Sequence, residues 1–112
     1  MDEAAFVERR FELDGGELVV RFYTPAKAPG GEFQCRYSIG WPKREVGRYT
    51  CGVDGIQALM LAMRVVHTEL VESEAYKAGR LTWCNQADLG LPPAWGPGSF
   101  DDAPPPAGTL GI

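Results

Sequence analysis

The sequence predicts an α+β domain: a four-stranded antiparallel β-meander packed on one long α-helix, with a Pro/Gly-rich C-terminal tail. Three observations predict it. Alternating apolar and polar residues run through 6–13, 17–24, 33–39 and 48–53. Helical spacing appears in one long stretch, Ile56 to Leu70. The strand patterns all precede the helix, and segregated elements point to an α+β architecture.

The first pair of strands, "FVERRFEL" and "ELVVRFYT", flanks "DGGE". A two-residue turn at Gly15 and Gly16 sets Leu13 opposite Leu18 and Phe11 opposite Val20. One face is then apolar apart from Arg9, and the other carries Glu8, Arg10, Glu12, Arg21 and Tyr23. The segment "PAKAPGGE" reads as a loop. In "FQCRYSI", Phe33, Cys35, Tyr37 and Ile39 face one way, and Gln34, Arg36 and Ser38 face the other. Symmetry about Lys43 sets Tyr37 opposite Tyr49, Cys35 opposite Cys51 and Ser38 opposite Arg48.

Asp54 is placed to cap the helix, with Gln57 three residues later as in a capping box. Gly79 is the expected stop, and "LTWC" at 81–84 a possible short fifth strand. The expected core is Phe11, Leu13, Val20, Phe22, Phe33, Cys35, Tyr37, Ile39, Tyr49, Cys51, Val53, Ile56, Leu59, Met60, Met63, Val66 and Leu70. The domain is expected to span 1–89. Residues 90–112 hold most of the nine prolines and are expected to be extended or disordered, with Trp95 and Phe100 as their apolar anchors.

A chain of 112 residues with 45 % apolar content supplies one modest core. The net charge of -4 argues against a general nucleic-acid binder. The N-terminus lacks the pattern of a signal peptide, and no apolar run reaches membrane-spanning length, so a cytoplasmic protein is expected. The odd number of cysteines, none in CxxC spacing, agrees with that setting.

Few residues point to catalysis. His67, the one histidine, lies on the apolar helix stripe, without a flanking nucleophile or orienting acid. Cys35, Cys51, Cys84 and His67 are suitable zinc ligand types, but they lack the close pairs of a structural site. The expectation is therefore no metal, no cofactor and no catalytic residue, so an enzyme is the weakest reading. "DGG" and "PGG" do not precede a helix and read as turns, not phosphate loops. The outer sheet face is the candidate surface. Arg10, Arg21, Tyr23, Gln34, Arg36 and Arg48 are expected there, a set suited to an acidic protein surface or a phosphate-bearing ligand. Neutralisation of the arginines by Glu8 and Glu12 is the competing, purely structural reading.

"GVDGIQALMLAM" and "LTWCNQADLGLP" together resemble a family of small bacterial domains of unknown function. That family has a GVDxxQAL-type helix start and an LGxP close, and the resemblance covers roughly residues 5–92. It implies the same strand-rich first half and no assigned activity. The expected function is a non-catalytic protein-binding module, with a toxin-neutralising immunity protein as a special case. The alternatives are a homodimeric structural subunit and, third, a small enzyme with a carboxylate or tyrosine site. The expected partner is a protein with an acidic surface, or a second copy of the chain. A membrane or nucleic acid is not expected.

Overall fold

The computed structural model describes residues 5–92. Trp95, Phe100 and the rest of the Pro-rich segment from 93 onward lie outside the described residues. The elements run β1 (Val7–Leu13), β2 (Gly16–Phe22), β3 (Ala26–Lys27), β4 (Phe33–Gly40), β5 (Glu45–Gly52), α1 (Gly55–Val71), α2 (Glu74–Lys77) and β6 (Leu81–Thr82). The class is α+β. The meander β1–β2–β4–β5 forms the body of one antiparallel sheet. The sheet is wider than four strands: β6 pairs with β1, and β3 extends the β2 side of β4. Among the described residues no helix is long and apolar enough to cross a membrane.

The first turn is made by Asp14 and Gly15, with φ of 52° and 82°. Two consecutive positive φ values give the twist that a two-residue hairpin needs. The register is therefore Leu13 opposite Gly16 and Phe11 opposite Leu18, two residues away from the Gly15–Gly16 expectation. A shift of two preserves which face each side chain takes. Phe11, Leu13, Leu18, Val20 and Phe22 are accordingly all buried.

The second hairpin corrects the sequence reading more severely. Gly40 pairs with Glu45 across a four-residue loop, 41–44, so Cys35 faces Thr50 and Tyr37 faces Arg48. This slip of one residue exchanges the faces of β5. Val46 is buried, whereas Tyr49 and Cys51, both expected in the core, are exposed. Cys35 and Cys51 lie on opposite faces and cannot be joined by a disulfide.

Helix α1 lies over β4 and β5. Asp54 caps it by accepting from the Gln57 N–H at 2.8 Å, and Gln57 Oε1 accepts from the Val53 N–H. Ala58, Ala62, Val66 and Leu70 form its buried ridge, with Leu59 and Met63 beside it. The small alanines let the helix approach β5 closely. The Thr50 hydroxyl donates to the Ala58 carbonyl at 2.7 Å, and a Cβ on Gly52 would lie 2.5 Å from the Ala58 nitrogen. This rotation leaves Ile56 in solvent, 71 % exposed, and Val53, ahead of the cap, is 82 % exposed, both contrary to the core expectation. The helix ends at Val71, and Ser73 caps the short α2 before Gly79 is reached.

The rest of the inner sheet face is covered by the chain after β6. Leu89, Leu91 and Pro92 are buried, and the two leucines join the core cluster of Phe11, Val20 and Ile39. Packed structure thus continues through Pro92.

Candidate functional site

The registers turn the outer sheet face into a grid. One row runs Glu8, Arg21, Ser38, Gly47 across β1, β2, β4 and β5. The next runs Tyr23, Arg36, Tyr49, with the Tyr23 N–H donating to the Arg36 carbonyl at 2.9 Å. Gln34 lies opposite Cys51 beyond it.

On β1 and β2 the arginines are held by glutamates. Arg10 pairs with Glu17 at 2.9 Å and Glu8 at 3.0 Å, and Arg21 pairs with Glu8 at 3.2 Å. These exposed pairs contribute little to stability, but they neutralise the arginines. On β4 and β5 the Arg36 guanidinium lies 4.9 Å from the centre of the Tyr23 ring. Tyr49, directly opposite Arg36, is 56 % exposed. Stacked arginine beside tyrosine is the composition that carries binding energy at protein interfaces.

Between these rows lies a recess of about 300 Å³, formed by 36–38, 47–49 and Tyr23. Its space comes from small residues. Ser38 and Gly47 face one another, and a Cβ added to Gly47 would find nothing nearer than the Tyr37 carbonyl at 3.9 Å. Ser38 is 6 % exposed, and its hydroxyl has no hydrogen-bond partner among the described residues. Buried hydroxyls are rarely left so.

Arg10, Arg21, Tyr23, Gln34 and Arg36 therefore share the outer face. Arg48 does not: it stands opposite the buried Tyr37, so its side chain leaves on the helix side. The sequence reading missed the importance of Ser38, Gly47 and Tyr49. Their signal was small residues beside aromatic ones, legible only once the hairpin register is known.

The other candidates are occupied by structural duties. A larger cleft of about 710 Å³ lies between Trp41 and the α1–α2 junction. There the Ser73 hydroxyl donates to the Leu70 carbonyl and accepts from the Tyr76 N–H, and Asp14 holds Arg80 through two contacts of 2.8 and 2.9 Å. Cys35 is buried and its thiol donates to the Tyr23 carbonyl. Burial pushes its pKa up, which keeps the thiol protonated and a poor nucleophile. His67 is half-buried; desolvation lowers its pKa, and Asp88 partly opposes that. The three cysteines and His67 do not meet at one point: Cys35 is in the core, Cys51 on the outer face, and Cys84 in the exposed turn after β6.

Residues 7–93 match the family described as a domain of unknown function (DUF6968), and the chain belongs to that family. No curated protein and no solved structure matches it.

Proposed function

We propose that this DUF6968 domain is a non-catalytic protein-binding module, engaging an acidic surface of its partner through the β4–β5 half of the outer sheet face. The observation that carries this reading is the Tyr23–Arg36–Tyr49 row, in which a stacked arginine lies between two tyrosines and the outer tyrosine is 56 % exposed. Tyrosine supplies large contact area at low entropic cost, arginine supplies planar charged donors, and both are enriched at interface hot spots. Arg10 and Arg21, paired with Glu8 and Glu17, stand beside this row on β1 and β2. Toxin neutralisation is one form that such binding would take. Free thiols at Cys35, Cys51 and Cys84 suit a cytoplasmic setting.

The test is affinity capture from lysate of the source organism, with identification of the bound protein and repeat capture by variants. Arg36→Glu and Tyr49→Ala should each reduce capture of the same protein roughly tenfold or more. The paired change Arg10→Gln with Glu17→Gln, which leaves the local charge unaltered, should change it by less than about twofold. Equal capture by wild type and Arg36→Glu removes the reading.

A further inference from the structure

Strand β5 is the last strand on its side of the sheet. It pairs with β4 one-to-one over Glu45–Gly52, without a bulge, and among the described residues no strand pairs with its other edge. Every second residue of such an edge turns its N–H and C=O outward, along about 26 Å of chain. Proteins blunt edges of this kind with proline, bulges, very short strands or a cover. β5 has eight residues and contains no proline, and Gly47, Arg48, Tyr49 and Cys51 are exposed. Its only charges are Glu45 and Arg48.

The edge is continuous with the recess at Ser38. A strand laid along β5 sets one outward-facing side chain beside Gly47, at the spacing of an ordinary cross-strand pair. Gly47 has no side chain to meet it, so that side chain leans across β5 into the recess. There it reaches the unpartnered Ser38 hydroxyl, with Arg36 on the wall. A hydroxyl and a guanidinium both donate, and a carboxylate only accepts. Glu45, two residues before Gly47 on the same face, disfavours a second acid at the neighbouring position.

We propose that the β5 edge receives an extended strand of a partner protein, and that an Asp or Glu of that strand seats its carboxylate over Gly47, accepting hydrogen bonds from Ser38 and Arg36. The proposal rests on the reading of the outer face as a protein-binding surface and names how that face is engaged. Main-chain pairing supplies affinity, and the recess supplies selectivity, as in other strand-addition modes.

The test is an NMR titration of the full chain with acetyl-Thr-Val-Glu-Val-Thr-amide and with its Gln and Lys analogues at the central position. The Glu peptide should shift the amides of 45–52 and of Ser38 most. The Gln analogue should bind about tenfold more weakly and the Lys analogue more weakly still. Ser38→Ala should lose about tenfold for the Glu peptide while melting at the wild-type temperature or above it. Gly47→Val fills the recess, sits on extended backbone and should abolish the preference for Glu. Shifts confined to other surfaces, or equal binding of the Glu and Lys peptides, overturn the proposal. So does light scattering that shows a dimer with protected β5 amides, because the edge is then taken by a second copy. A partner captured equally by Ser38→Ala and Gly47→Val, yet lost by Arg36→Glu, sinks the strand-addition proposal and leaves the face reading standing.

Discussion

Arg9 sits on the apolar face of β1, and its guanidinium is where the chain after β6 is fastened. It stacks on Trp83 at 3.9 Å and donates to the carbonyls of Leu89 and Gly90 at 3.1 and 2.9 Å. The sequence marked Arg9 as the exception on its face; what it binds lies some eighty residues away, beyond the reach of any local pattern. Gly90 completes the contact, since its φ of +69° and the Trp83 ring leave no room for a Cβ. Arg9→Met keeps the stem and removes the donors, leaving two carbonyls to find water. It should cost about 2 kcal/mol in urea unfolding. Gly90→Ala should cost at least as much, through left-handed strain and overlap with the ring. His67 adds a pH dependence. Its folded pKa is lowered from the ordinary 6.5, chiefly by desolvation, so the unfolded chain binds the proton more readily. Its contribution is complete above about pH 6.5 and is lost as pH falls through the folded value. The urea midpoint should drop on acidification from pH 7.5 towards 5.5, and His67→Gln should flatten that part of the curve. Glu12, whose pKa is lowered by the Asn85 N–H and the Thr82 hydroxyl, acts in the more acidic window below its ordinary 4.5.

At the scale of elements, the two hairpins show why one register error was harmless and the other was not. Moving the first turn from Gly15–Gly16 to Asp14–Gly15 changes every partner but no face, so the inward set of β1 and β2 was legible from alternation alone. The loop at 41–44 has an even number of residues, and symmetry about Lys43 required an odd one. "EVGRYTCG" alternates ambiguously: Tyr49 and Cys51 compete with Val46 and Thr50 for the core. Propensity favours the tyrosine, but helix contact decides the matter, because only Thr50 and Gly52 let α1 descend onto β5. The same contact rotates α1, burying Ala58 and Ala62 and releasing Ile56. A capped helix was therefore readable, but its facing was not. The Gly52→Ala variant tests this account. Its Cβ meets the backbone of Gln57 and Ala58, which cannot yield as a side chain tip does. The expected loss is roughly 1–3 kcal/mol by thermal or urea unfolding, with weakened exchange protection in the first turns of α1. A variant that melts with wild type would show that the helix does not press on β5.

For the molecule as a whole, two different covers share one sheet. Helix α1 lies over β4 and β5, while Leu89, Leu91 and Pro92 belong to the chain that Arg9 fastens over β1. The sequence displayed the first cover through its periodicity. The second has no periodicity, and the two-residue strands β3 and β6 are too short to display one, so the sheet was read as narrower than it is. The buried residues nevertheless form a single cluster, in which Leu89 and Leu91 join Phe11, Val20, Ile39 and the α1 ridge. Ile39 and Val20 are direct cross-strand partners at the seam between the two covered regions. A core joined in this way should open as one unit, whichever cover is weakened. Leu89→Ala, which empties a fully buried site on the second cover, should cost about 3 kcal/mol. Native-state hydrogen exchange should then show the slowest amides of β1 and β4 losing that same free energy together. Loss confined to β1 and β2, with β4, β5 and α1 protected as in wild type, would divide the domain into two independently opening parts. The outer-face row Tyr23–Arg36–Tyr49 would then straddle the division between them, since Tyr23 extends β2 while Arg36 and Tyr49 stand on β4 and β5.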